Sequence, residues 1–175
     1  MMVTTTETRF TRDDYMLLPE GFRAELIDGM LVKDPAPTGW HQVIVMRIGL
    51  ALTNIVGTRR AVVSPIDVSV DDWNVVQPDV LVLPEDCPIS PGDAQVGTPA
   101  LVVEVLSPST ASRDRDQKVA IYLRAGVKEV WLVDPEAESA EVHTVGGVVL
   151  FEPGSRPASR AVPGFALTLE SLFGA

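Results

Sequence analysis

Residues Thr98–Pro135 read TPALVVEVLSPSTASRDRDQKVAIYLRAGVKEVWLVDP. From Pro99 to Leu106 the chain is apolar except for Glu104. A short apolar run bounded by turn residues predicts a strand buried on both faces. Ser107-Pro108-Ser109-Thr110 breaks it. A polar first turn (Arg113, Asp114, Arg115, Asp116) then leads into Val119, Tyr122 and Leu123, and Gly126 supplies a stop. Those are the start and stop signals of a helix. Val127 to Asp134 predicts a second buried strand, closed by Pro135. The stretch is a β-α-β unit, so its strands are expected as parallel neighbours joined by a right-handed crossover.

Glu104 is the residue that needs explaining. A lone carboxylate in a buried strand is expensive unless it is paired, binds a cation, or keeps its proton. Two more acids stand in similar settings. Glu25 lies in Phe22–Lys33, where Asp28-Gly29 is a primed hairpin turn between apolar arms. On a period of two it shares a face with Arg23 and Ile27. Asp79 stands near the middle of Val75–Leu83, read as one strand. Lys118 follows Glu104 by one helix start. Asp114, Lys118 and Tyr122 repeat at intervals of four, which places them on one helical face. In a β-α-β unit that face can reach the C-terminal end of the first strand.

The rest of the chain supplies a frame. Thr11–Leu18 predicts a short helix capped by Thr11, with Asp13 and Asp14 in its first turn. Trp40–Val56 has helical apolar spacing, and extra apolar residues at Val45, Met46 and Leu50 predict burial on most of its surface. Arg60–Val70 reads as one strand bent at Pro65. Residues 84–98 form a loop, Ala140–Leu150 a hairpin turning at Gly146-Gly147, and Val162–Phe165 a closing strand before a turn of helix at Leu167–Leu172. Residues 1–9 read as a flexible tail and 10–175 as a single domain.

The totals narrow the classes. A chain of 175 residues that is 46% hydrophobic and 22% charged is globular and able to bury a core. One cysteine, Cys87, excludes an internal disulfide and a multi-cysteine zinc site, and points to a cytoplasmic location. MMVTTTETRF lacks the apolar core of a signal peptide, and no run reaches the roughly 18 apolar residues of a membrane helix. A net charge of −10 argues against nucleic-acid binding by bulk charge alone. It is compatible with carboxylates gathered around a metal.

Carboxylates converging on one point make a hard oxygen site for Mg²⁺ or Mn²⁺. Such an ion stabilises charge on a phosphate oxygen and acidifies water, and a nearby lysine orients or deprotonates that water. Those are the parts of metal-assisted phosphodiester hydrolysis. The plainer readings are an ion pair of Glu104 with Lys118 or an arginine, Asp79 ending a turn, Glu25 in a cross-strand salt bridge, and Lys118 solvated beside Asp114. His41 and Tyr122 are secondary candidates. Their plain readings are a surface histidine and a core tyrosine. Trp40, Trp73 and Trp131 are read as packing residues. Ser107 has no accompanying histidine–acid motif and is set aside as a nucleophile.

Pro78-Asp79 followed further on by Glu104 resembles the PD-(D/E)XK nucleases. The set Glu25-Leu26-Ile27-Asp28-Gly29, Gln77-Pro78-Asp79-Val80, Val103-Glu104-Val105-Leu106-Ser107-Pro108-Ser109, Lys118 with Tyr122, and Ala125-Gly126-Val127 leading to Val130-Trp131 and Val133-Asp134-Pro135 more closely resembles the Uma2-like endonucleases. The resemblance implies an α/β restriction-endonuclease-like fold, a mixed central β-sheet flanked by helices, with additional β-hairpins. It implies Asp79 and Glu104 as metal ligands, Glu25 as a further ligand or water holder, Lys118 as catalytic lysine, DNA as substrate and a homodimer. One departure stands out: Leu106 occupies the usual lysine position, so Lys118 must replace it. The competing expectation is a catalytically inactive binding or assembly module on the same fold, its acids and lysine serving as a structural network. The net charge and Leu106 favour that module. The three acids with Lys118 favour the enzyme.

Overall fold

The computed structural model describes residues 9–19, 22, 24–93 and 95–174. Arg23 and nearly all of the expected tail lie outside them. The predicted β-α-β unit is present. Strand β8 (Leu101–Val105) and β9 (Glu129–Asp134) pair in parallel, from Leu101↔Glu129 to Val105↔Val133. The crossover is a helix in three parts: α3 (Ala111–Arg113), a π-helical turn (Asp114–Lys118) and α4 (Val119–Arg124).

Before this unit come α1 (Arg12–Met16), β1 (Glu25–Ile27), β2 (Met30–Val32), α2 (Gly39–Val56), β3 (Ala61–Val63), β4 (Asp67–Asp71), β5 (Asn74–Val76), β6 (Val80–Val82) and β7 (Gln95–Val96). After it come β10 (Ser139–Thr144), β11 (Gly147–Phe151) and α5 (Leu169–Phe173). There are two sheets: a six-stranded one in the order β11-β10-β9-β8-β6-β3, and a five-stranded one in the order β2-β1-β5-β4-β7. Both mix parallel and antiparallel pairs.

Alternation along β8 decides which layer meets which. Leu101, Val103 and Val105 pack with Ile44, Ile48 and Leu52 of α2 and with α5. Val102 lies on the opposite face, with Ile121 and Tyr122 of α4 and with Ile27, Val68 and Val76 of the five-stranded sheet. Each fully buried side chain of this size contributes roughly 1.5–3 kcal/mol. Glu104 has the parity of Val102. It therefore faces the crossover helix and the second sheet, the layer from which Glu25 comes.

The structure corrects several expectations. Val75–Leu83 is two strands in different sheets, broken at Gln77-Pro78-Asp79, and Asp79 stands at the corner before β6. Arg60–Val70 divides likewise, into β3 and β4. Proline has no N–H for a ladder, so both breaks fall where strands lose pairing. Helix α2 is not buried on most of its surface: Met46 and Leu50 are more than half exposed. Trp40 and Trp73 are also exposed, whereas Trp131 is fully buried against Phe165. The final hairpin turns at Val145-Gly146, one residue early. Val162–Phe165 forms no strand; the only pairing there is the bridge Ala158↔Ala166.

A further buried acid, Glu129, opens β9. It accepts from Trp131 Nε1 at 3.1 Å, Ser159 Oγ at 2.6 Å and the Arg160 N–H at 2.7 Å. It thereby ties the C-terminal loop to the central sheet. Glu129→Ala strands these donors and is expected to destabilise the fold by about 2–3 kcal/mol. Urea denaturation checks this; an unchanged midpoint would show that the loop is not held by Glu129.

Candidate active site

The break at Gln77-Pro78-Asp79 builds the site. Strand β6 runs antiparallel to β8 with Val80 opposite Val103, so the corner residue Asp79 falls beside Glu104. The Val105 N–H donates to Asp79 Oδ2 at 2.8 Å. The Gln77 N–H donates to Glu25 Oε1 at 2.6 Å. Each of these two acids is thus held by a backbone donor, Glu25 from this break and Asp79 from the end of β8. Gln77 is itself anchored, its Nε2 donating to Asp67 Oδ1 at 2.7 Å.

The crossover helix completes the cluster. Lys118 Nζ lies 2.7 Å from Glu104 Oε1 and 3.0 Å from Glu25 Oε1. Asp114 Oδ1 is 3.8 Å from the same nitrogen. Tyr122 donates its hydroxyl to Glu104 Oε1 at 2.6 Å. Glu25, Glu104, Asp114, Lys118 and Tyr122 are all buried. The structure therefore brings together Glu25, Asp79, Glu104 and Lys118. The Glu104–Lys118 ion pair is real, while Lys118 is buried rather than solvated. Glu25 pairs across two layers instead of across its hairpin.

His41 is not a surface residue. It is buried at the start of α2, where Thr38 Oγ1 caps the first turn by accepting the His41 N–H at 3.2 Å. Its Nε2 lies 2.9 Å from the Val105 carbonyl and 3.3 Å from Asp79 Oδ2. The carbonyl needs a donor, so Nε2 carries a proton; Nδ1 is buried without a partner among the described residues. The only sequence cue for this placement was a histidine at a helix start, which does not reveal that α2 begins against the end of β8. Asp114 was legible as a neighbour of Lys118 on one helical face, but not as a fourth acid of the site.

Electrostatics follow from this crowding. Burial raises the Glu104 carboxyl well above the usual range; Lys118 opposes it, and Asp114, Asp79 and Glu25 reinforce it. Burial also raises Asp114, again against Lys118. Burial works against the Lys118 ammonium, but Glu104 and Glu25 outweigh it and keep it charged. Burial and Glu104 raise the Tyr122 phenol, which stays a donor. Burial lowers His41, and Asp79 more than reverses it.

These residues, apart from Tyr122, line a cleft of about 540 Å³, walled by the Pro35-Ala36-Pro37 segment on one side and Ser107–Thr110 on the other. Arg113 clamps the rim, its Nη2 donating to Asp34 Oδ1 at 2.6 Å. Each of the three predicted acids commits one oxygen to protein donors: Oε1 of Glu25, Oδ2 of Asp79 and Oε1 of Glu104. Glu25 Oε2 is buried with no hydrogen-bond partner among the described residues. Four carboxyl groups, those of Glu25, Asp79, Glu104 and Asp114, face Lys118 and His41, so the acids outnumber the cations. That imbalance and the unpartnered oxygen fit a divalent oxygen-seeking cation. Among the described residues, as they stand, no group of three or more Asp, Glu, His or Cys side chains is placed to hold a metal ion.

Facing mixed sheets and a crossover helix give a nuclease-like fold, with an acid–lysine cleft at the strand ends. The family model described as "Putative restriction endonuclease" matches residues 12–170, and the chain belongs to that family, Uma2. Among solved structures it is similar to the crystal structure of a "putative nuclease belonging to DUF820" from Anabaena variabilis ATCC 29413. That similarity has a TM-score of 0.80 at 22% identity and covers 94% of this chain and 97% of the other. No curated protein matches the chain.

Proposed function

We propose that the protein is a metal-dependent endonuclease that hydrolyses DNA phosphodiester bonds. The observation that carries this reading is the buried Glu25 Oε2, without a hydrogen-bond partner among the described residues and set among acids that outnumber their cations. Asp79 and Glu104 would hold Mg²⁺ or Mn²⁺, with Glu25 assisting. The ion, when bound, would supply Lewis acidity for a phosphate oxygen and for the attacking water. Lys118 orients that water and offsets developing charge, in place of a lysine at position 106. Tyr122 and the Val105 N–H fix the two ligands in rotation, and His41 does the same for Asp79. Cytoplasmic location and a homodimer belong to the same reading, since two active sites are needed to cut both strands of a duplex in one encounter.

No helix among the described residues is long and apolar enough to cross a membrane. The second reading, a non-catalytic binding or assembly module, is favoured by one observation: Lys118 is fully engaged by carboxylates. Purified protein is expected to nick supercoiled plasmid with Mn²⁺ or Mg²⁺ and to stop in EDTA. Cleavage that persists in EDTA would remove the metal from the mechanism. Silence with plasmid, single-stranded DNA and both metals would favour the binding module.

A further inference from the structure

A cation already stands between Glu25 and Glu104. It is the Lys118 ammonium, 3.0 Å from one carboxylate and 2.7 Å from the other, on a side chain 5% exposed. These are two of the acids that the nuclease reading assigns to the metal. A divalent ion sharing their oxygens would meet the lysine charge at close range inside a low-dielectric site, where like charges repel strongly. The two cations cannot comfortably share that position.

Asp114 offers the ammonium a second place. Its carboxylate is buried, lines the cleft, and lies 3.8 Å from Nζ. That is roughly 1 Å beyond hydrogen-bond distance. The π-helical turn from Asp114 to Lys118 puts both side chains on the cleft side of the crossover helix. Single π turns recur at functional sites because they realign side chains in this way. Asp114 is a further acid in a cluster where acids outnumber cations, and its cationic partner there, Lys118, is held closer by Glu25 and Glu104. The buried Glu25 Oε2, which has no hydrogen-bond partner among the described residues, is a second, independent sign that the cluster is arranged for a ligand.

We propose that Lys118 Nζ and a divalent cation are alternative occupants of the position between Glu25 and Glu104, and that Asp114 is the positioning residue that receives Nζ when the metal enters. The inference rests on the metal-dependent reading above. The exchange breaks the Lys118 contacts to Oε1 of both glutamates and makes one to Asp114. It leaves the lysine beside the metal position, where its protons can face the attacking water.

The test is Mn²⁺ titration by calorimetry of the full chain as wild type, Lys118→Met, Asp114→Asn and the double variant. Thermal melts in EDTA and in rising Mn²⁺ run in parallel. Lys118→Met is expected to bind Mn²⁺ about tenfold more tightly than wild type, a usual size for coupling between two sites. Asp114→Asn is expected to weaken binding in the wild-type background and to lose most of that effect in the Lys118→Met background. If Lys118→Met is unfolded in EDTA, its melting temperature against Mn²⁺ concentration reads the same affinity by mass action. Unchanged or weaker Mn²⁺ binding by Lys118→Met overturns the exchange while leaving the metal site standing. An Asp114→Asn effect of equal size in both backgrounds overturns the role of Asp114. No binding by any variant at millimolar Mn²⁺ overturns the exchange and the metal-dependent reading together.

Discussion

In EDTA at pH 7, Lys118→Met is expected to unfold about 3–5 kcal/mol more easily than wild type, the usual effect of removing one partner from a buried ion pair. Lys118 is the one lysine within reach of Glu25, Glu104 and Asp114, and all four side chains are nearly solvent-free. Glu25 Oε1 keeps the Gln77 N–H and Glu104 Oε1 keeps Tyr122, but neither is a charge. In a chain of this length each kcal/mol shifts the melting midpoint by about 2–4 °C, so the drop should be on the order of 10 °C. The acids can relieve the loss by keeping protons. Burial already raises Glu104 well above its ordinary value, and removing the lysine raises it further. The deficit should therefore be smaller at pH 5 than at pH 8. Neutralising the acids as well, in Glu25→Gln/Glu104→Gln/Lys118→Met, should recover much of the loss. Urea denaturation of the three forms at two pH values decides it. A Lys118→Met variant as stable as wild type at pH 8 would mean the ammonium is solvated and the cluster is not held as described.

How far this site could be read from the chain depends on the kind of signal. The β-α-β unit was legible because turn residues bound both apolar runs and Gly126 ends the helix. Parallel pairing then placed Lys118 over Glu104. Glu25 was placed on the face of Ile27 by strict alternation, and Ile27 indeed packs in the layer shared with the crossover helix. Asp79 was legible as an odd acid but misplaced. Apolar residues flank Gln77-Pro78-Asp79 on both sides, and hydrophobicity alone does not distinguish one long strand from two strands that leave for different sheets. Pro78 was the overlooked mark of the break. Nothing in the sequence singled out Glu129, since its partners arrive from Ser159 and Arg160, far along the chain. The π turn lies in a backbone hydrogen-bond pattern that no side-chain spacing reports, so the depth of Asp114 in the site stayed hidden.

The acids themselves carry the largest expected effect on activity. Asp79→Asn and Glu104→Gln are each expected to lower the rate of metal-dependent plasmid nicking by about 10²–10³-fold. A bound metal supplies several kcal/mol of charge stabilisation, and each 1.36 kcal/mol is a factor of ten. Both substitutions keep shape and one carbonyl oxygen, so the Val105 N–H and Tyr122 retain an acceptor and the fold should survive. Glu104→Gln also relieves a buried negative charge, so its melting point need not fall even as its activity does. That separation makes the variant informative, because loss of activity cannot then be assigned to unfolding. Tyr122→Phe provides the internal scale. It removes one hydrogen bond to Glu104 Oε1 and leaves Lys118 on the same oxygen, and is expected to cost about tenfold or less. Initial nicking rates in saturating Mn²⁺, with melts of each protein alongside, give the order. If Asp79→Asn and Glu104→Gln cut at the wild-type rate, cleavage arises from a contaminant or another site. If Tyr122→Phe falls as far as Glu104→Gln, the hydroxyl takes part in the chemistry and is more than a rotational stop.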